Sequence, residues 1–323
     1  MTLFVVVVLV VAGGAVAATA AYFESRPGPN SVGITDDAGR TVAVPIDHAR
    51  VASLAPSITD SLFRLGLRSH IVAVDCYAPA FGGLSEDYDP AQISEWDLSS
   101  SMCVQTGPSL NIEELLNATP QLVLVATTTS ESAVDELTTN YHLPVLVLQP
   151  ATLGGIGYDV QLLAQIFPAK SAAASALEGQ IQVEIERATS LATNLSDHQS
   201  PLPSVLITYE TDSNGYWTFG PGSFGQSLIE VASAVNVASD TSFEYPELSG
   251  SQVLVDNPWG VIYATGFGLN LTSYAQAPDW GSLNSTSNGH LWGMDSTLLT
   301  EPDPTMILVG LPLLISYLHP DGT

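Results

Sequence analysis

One run of the chain limits the architecture more than any other. From Ala169 to Leu195, AKSAAASALEGQIQVEIERATSLATNL gives 27 residues without a proline, enough for a helix roughly 40 Å long. Helical character begins at Gly157 and is broken only by Pro168; Pro201 and Pro203 end it. Upstream, VGITDDAGRTVAVP reads as a β-hairpin turning at Asp36-Asp37-Ala38-Gly39. Strand and helix then alternate: VASLA strand, SITDSLFRLGL helix, IVAVDC strand, NIEELLN helix, LVLVAT strand, SAVDELTTNY helix, VLVLQ strand. Short continuous apolar runs of this kind are expected of parallel strands covered on both faces. Downstream come SVLITY strand, FGQSLIEVASA helix, SGSQVLVD helix, GVIYAT strand, HLWGMD strand, and a last helix from Pro304 to His319. A helix that long between two such halves acts as a strut. The predicted fold class is α/β: two α/β lobes joined by a single long backbone helix, with the ligand cleft between the lobes.

The predicted organisation is an N-terminal apolar segment over 1–24, a polar linker over 25–31, lobe one over 32–150, connecting helices over 151–200 and lobe two over 201–323. Leu3 to Phe23 carries 21 residues without a charge, which reads either as an uncleaved transmembrane signal-anchor or as a cleaved signal peptide. Either way the bulk of the chain is placed outside the cytoplasm, on the cell surface or in a periplasm. Cys76 and Cys103 suit that compartment as a disulfide around the acidic run SEDYDPAQISEW; with no His between them they do not read as a metal site. The charge is lopsided, 33 acidic residues against 7 basic, which excludes nucleic acid as a partner. Two accounts of that imbalance stand: life in acid, where carboxylates lose charge and cations do not, or compositional bias.

Five stretches then fall in order: RVASLAPSITDSLFRLGLRSHIVAVDCY, SLNIEELLNATPQLVLVAT, GSFGQSLIEVASAVNVASD, YPELSGSQVLVDNPWGVIYAT and NGHLWGMDSTLLTEPDP. Together, over about Val32 to His319, they resemble the cobalamin and ferric-siderophore substrate-binding proteins of ABC importers. The resemblance implies a binding protein, not an enzyme. It would hold a metal-bearing macrocycle or chelate between its lobes and deliver it to a permease dimer driven by a cytoplasmic ATPase. It also implies ligand contacts at Tyr77 after the second strand, Tyr245 before the Pro of the second lobe's helix-opening turn, and Asp295 near the last strand. Trp217, in the loop after the first strand of lobe two, joins them. Flat aromatic faces bury a ring at low entropic cost, and Tyr and Asp orient it by hydrogen bonds. Ordinary packing is the other reading of each aromatic. Ser57, after Pro56, either caps its helix with Asp60 completing a capping box, or touches ligand.

Docking to the permease is implied through one surface Glu per lobe. Glu113 stands at that place in lobe one, with Glu114 beside it, but Ser251 replaces the Glu in lobe two and Glu247 lies four residues earlier. The Arg and Lys inventory favours a nearly neutral ligand, since Arg26, Arg40, Arg50, Arg64, Arg68 and Arg187 all map outside the cleft. The first expectation is therefore a corrinoid, the alternative an iron chelate or haem.

Other classes compete weakly. GPGSFG, Gly220 to Gly225, fits G-x-G-x-x-G with Asp240 downstream, the pattern of a dinucleotide-dependent enzyme. It falls partway through the second lobe, however, and Pro221 removes a phosphate-binding N–H. The six His, at 48, 70, 142, 198, 290 and 319, show no ligand spacing, and no metal or cofactor is expected beyond the bound ligand. Asn117, Asn194, Asn270 and Asn284 each open an Asn-x-Ser/Thr site. A surface binding protein without a transporter is the remaining alternative, resting on Ser251 alone.

Overall fold

The computed structural model describes residues 31–46, 50–78, 98–198, 201–266 and 269–320. The N-terminal apolar segment, most of the linker, His48 and the run SEDYDPAQISEW lie outside the described residues.

The first lobe opens with the hairpin β1 (Ser31–Thr35) and β2 (Thr41–Pro45). There follow β3 (Val51–Leu54), α1 (Pro56–Arg64), β4 (Ile71–Asp75), β5 (Cys103–Thr106), β6 (Ser109–Leu110), α2 (Ile112–Asn117), β7 (Leu122–Val125), α3 (Glu131–Thr139) and β8 (Val145–Val147). The sheet order is β6-β5-β4-β3-β7-β8. All neighbours are parallel except β5 and β6. The chain winds outward from β3 in one direction, then returns to β7 on the other side. That reversal opens a crevice at the carboxyl ends of the strands. Central strands β3 and β7 are buried on both faces, as parallel strands under helices require.

The hairpin is fastened to the sheet edge. Asp36 Oδ2 accepts the Val147 N–H (3.1 Å), Asp37 Oδ2 accepts the Gln149 N–H (2.5 Å), and the Asp37 N–H donates to the Val147 carbonyl (3.0 Å). These bonds cover edge groups of β8 that would otherwise be open to pairing.

Helices α4 (Leu153–Ile166) and α5 (Ser171–His198) lead to the second lobe, and α5, 28 residues long, is the strut. Lobe two holds β9 (Ser204–Thr211), β10 (Gly215–Thr218), α6 (Phe224–Val231), β11 (Val235–Asn236), β12 (Glu247–Ser249), α7 (Gly250–Asp256), β13 (Gly260–Thr265), α8 (Leu271–Tyr274), α9 (Asn284–Asn288), β14 (Leu291–Asp295), α10 (Ser296–Thr300) and α11 (Leu311–Leu318). Its sheet runs β12-β10-β9-β13-β14, with β11 also on β9; β10 is antiparallel to both its neighbours. The final helix runs without a break over residues 304–318 and ends as α11. It contains a π-helical turn, Met306–Gly310, at a point where the Gly310 backbone packs so closely on Leu298 that a Cβ would meet its carbonyl at 2.7 Å.

The strut buries Ala174, Leu177, Ile181 and Ala188, with Ile185 packed against the same core; these positions recur at helical spacing on one stripe. That core is shared. Val51, Leu122 and Leu124 of lobe one, α4 and α5, and Val205, Ile207, Ile262 and Leu311 of lobe two belong to one continuous apolar cluster. Each sheet has its own core on the other face, around Leu54 and Val123 in lobe one and Leu206 and Val261 in lobe two.

Candidate functional site

Residues just past the strand ends of both lobes converge on one crevice. Thr127 and Thr128 follow β7, Gln149 follows β8, Tyr209 lies on β9, Phe219 follows β10, Phe224 opens α6, Tyr245 precedes β12, and Thr300 and Glu301 end α10. Together they enclose a cavity of about 430 Å³, within the usual range for a small-molecule site. A second cavity of about 220 Å³ continues from it, sharing Thr127, Gln149, Phe224 and Tyr245 and adding Asp37 of the hairpin turn with Gly222 and Glu244 of lobe two.

One wall is aromatic. Phe219 lies 5.0 Å from the Tyr209 ring, 5.1 Å from Phe224 and 6.2 Å from Tyr245. The glycines of GPGSFG make this wall possible. A Cβ on Gly225 would sit 2.1 Å from the Phe219 ring, and Gly222 takes a φ of +88°. Ser223 caps α6 by accepting the Gln226 N–H (3.2 Å). The loop follows β10, an antiparallel strand, so it is not the βα turn of a nucleotide-binding fold. Its glycines pack rings.

Glu301, the acid that lines this cavity, ties the lobes together. Glu301 Oε2 accepts the backbone N–H of Ser57 (3.2 Å). Burial pushes the Glu301 carboxyl up to about 7; the Ser57 N–H opposes the shift and nearby Asp75 adds to it. Asp75 is itself raised to about 6 by burial, against the Tyr77 N–H it accepts (2.8 Å). Behind Glu301, Asp60 of α1 pairs with Arg64 (2.9 Å) and accepts from the Thr305 hydroxyl (2.9 Å); Arg64 also donates to Thr305. Asp303 is held well above the usual carboxylate range by burial and by the neighbouring Asp60.

Ser57 is therefore not a cap. Ala55 is the N-cap of α1, Pro56 takes the first helical position, and no side chain caps the helix. Pro56 has φ fixed for the first turn, which moves Ser57 inside the helix and leaves its N–H for Glu301. Asp60 binds Arg64 and Thr305, and no capping box forms.

Of the other sequence-predicted residues, Tyr245 lines both cavities. Tyr77, past the end of β4, is 45% exposed and lines neither. Trp217 stands in β10, not in a loop, opposite Glu210 and Glu247, and lines neither cavity. Asp295 is buried at the end of β14 and caps α10, its Oδ1 accepting from the Thr297 N–H (3.0 Å) and hydroxyl (2.8 Å). Cys76 and Cys103 are joined as a disulfide. Glu113 and Glu114 are exposed in the first turn of α2, Ser251 is exposed in the first turn of α7, and Glu247 remains in β12. Tyr209, Phe219, Phe224 and Glu301 were not singled out in the sequence. For Phe219 and Phe224 the signal is position, one residue beyond a strand and at a helix start; Tyr209, within β9, and Glu301, at the end of α10, carry no such signal.

Among the described residues no cluster of His, Cys, Asp and Glu could hold a metal ion, and no helix is long and apolar enough to cross a membrane.

The family model described as periplasmic binding protein matches residues 51–297. An uncharacterized ABC transporter substrate-binding lipoprotein, YvrC of Bacillus subtilis, is 20% identical over 90% of this chain and 86% of its own. A cobalamin-binding protein of Halobacterium salinarum is 25% identical over 85% of this chain and 71% of its own. The crystal structure of a periplasmic heme-binding protein from Pseudomonas aeruginosa superposes with a TM-score of 0.71 at 19% identity, over 85% of this chain and 94% of the other. The chain belongs to the periplasmic binding protein family: it is an extracytoplasmic substrate-binding protein of an ABC transporter, not an enzyme.

Proposed function

We propose that this protein captures a metal chelate with a flat ring face, a cobalamin or another corrinoid, in the inter-lobe cleft and delivers it to the permease dimer of an importer. The carrying observation is the composition of the 430 Å³ cavity: Tyr209, Phe219, Phe224 and Tyr245 supply ring faces, and among the described residues no Lys or Arg lines it. An anionic chelate needs cationic partners; a neutral macrocycle needs aromatic area and a few polar groups. The cobalamin-binding relative from Halobacterium salinarum supports the same class. In this reading Tyr245 contacts the ring face and Tyr77 the part of the ligand that stands out of the mouth. Trp217 and Asp295 act less directly, Asp295 by holding the start of α10 that leads to Glu301. Glu113 on α2 is the docking residue of lobe one; in lobe two Ser251 contributes a neutral contact, with Glu247 nearby. The N-terminal apolar segment keeps the protein at the membrane as an anchor or exports it as a signal.

Titration of the purified protein with cyanocobalamin, haemin and a ferric hydroxamate, followed by visible absorption, tests the reading. Cyanocobalamin is expected to saturate a single site, and Tyr245→Ala to weaken it about tenfold through lost ring contact. Saturation by haemin or the ferric hydroxamate, with none by cyanocobalamin, would assign the site to the haem or siderophore class instead.

A further inference from the structure

The cleft carries carboxyl groups on both lobes, and among the described residues no Lys or Arg lines it. Glu301 and Glu244 come from lobe two, Asp37 from the hairpin of lobe one. The described cations are all engaged elsewhere. Arg40 pairs with Asp36 (2.6 Å), Arg64 with Asp60 (2.9 Å) and Arg187 with Glu184 (2.6 Å). Arg50 donates to the Thr119 carbonyl (3.0 Å), Lys170 to the Gly66 carbonyl (3.0 Å), and Arg68 lies over the Phe63 ring. Arg40 neutralises Asp36 within the hairpin turn, whereas Asp37 on the cleft wall accepts the Gln149 N–H (2.5 Å) and lies against Asp159 of α4, with no described cation paired to it.

We propose that Asp37, Glu244 and Glu301 set the specificity of this cleft, rejecting chelates with anionic substituents and accepting hydrogen bonds from an uncharged, donor-rich ligand such as one bearing primary amides. This rests on the reading of the cleft as the chelate site. A carboxylate on the ligand would face three carboxylates in a partly desolvated crevice, where like-charge repulsion is strong. An amide N–H₂ in the same place meets acceptors. Glu301 has a further property: it faces Asp75 and Asp303, with Arg64 and Asp60 behind them. Its raised titration near 7 makes it an acceptor above neutrality and a donor below. The aromatic wall is tolerant of any flat ring, so discrimination falls to these acids.

A pair of corrinoids with one ring and opposite substituents isolates the effect. Dicyanocobinamide carries amide side chains; dicyanocobyrinic acid carries carboxylates in their place. At about pH 8, with Glu301 ionised, the wild type is expected to prefer the amide form about a hundredfold. Glu244→Gln, on an exposed side chain, and Glu301→Gln, which keeps a carbonyl for the Ser57 N–H, should each lower that ratio about tenfold, chiefly by improving binding of the acid. Raising the salt should compress the ratio in the wild type. If the amide corrinoid binds but the ratio is near unity, or is unchanged in both variants, the specificity assignment falls while the cleft reading stands. If the wild type binds neither corrinoid, the ligand class itself is wrong and the assignment goes with it.

Discussion

Asp159, on α4, is a carboxyl where a charge is costly. It is 7% exposed, its Oδ1 has no partner, and it lies against Asp37. Burial first, and the Asp37 charge second, push it up to about 8 from an ordinary 3.8. The folded state therefore binds a proton that the unfolded chain has lost across that window. Stability contributed by the protonated form is complete below about pH 4 and declines as pH rises towards 8. The wild type should melt several degrees higher at about pH 5 than at about pH 8. Asp159→Asn, which holds a neutral amide in place, should raise the melting temperature at the higher pH and narrow the gap. A gap of unchanged size in the variant would place the pH dependence elsewhere, in Glu301, Asp75 or Asp303. The pairing that raises Asp159 could not be read from sequence, because Asp37 and Asp159 are brought together by the hairpin's attachment to β8. Tyr245 was legible as a ring beside a Pro turn. Glu301 was not, since its role depends on an N–H across the cleft that Pro56 leaves available.

At the scale of elements, the long strut, the hairpin and the apolar parallel strands were legible because each repeats a simple period over enough residues. Strands β5, β6, β10, β11 and β12 were not: CVQT and GYWT mix polar and apolar residues, and the other three span only two or three residues. Their existence depends on a neighbour to pair with. The β4–β5 pair is also cross-linked by Cys76–Cys103, which closes a sequence separation of 27 residues. A loop of that length corresponds to about 3.5 kcal/mol of lost unfolded-state entropy. Reduction, or the double substitution Cys76→Ser with Cys103→Ser, should lower the denaturant midpoint accordingly, leaving lobe two's contribution to the circular dichroism of the native state unchanged. An unshifted midpoint would mean that the bond constrains nothing the unfolded chain would otherwise explore.

The whole molecule has two sheets but one inner core, and this decides how the lobes relate. A cleft between lobes joined only by a flexible linker would open and close freely. Here the strut, α4 and the π-helical turn place side chains of both lobes in the same apolar cluster, and Glu301–Ser57 with Asp60–Thr305 bridge the lobes again at the cleft floor. The lobes are therefore expected to unfold as one unit. Ile181, 2% exposed on the strut, is a test, since truncation leaves a cavity within the apolar cluster to which both lobes contribute. Ile181→Ala should cost about 3 kcal/mol. Hydrogen exchange of β3 and β7 in lobe one, and of β9 and β13 in lobe two, should lose protection at a common denaturant concentration in wild type and variant alike. Two separate transitions, with one lobe protected after the other has exchanged, would show that the shared cluster does not couple them and that the cleft closes by lobe motion instead.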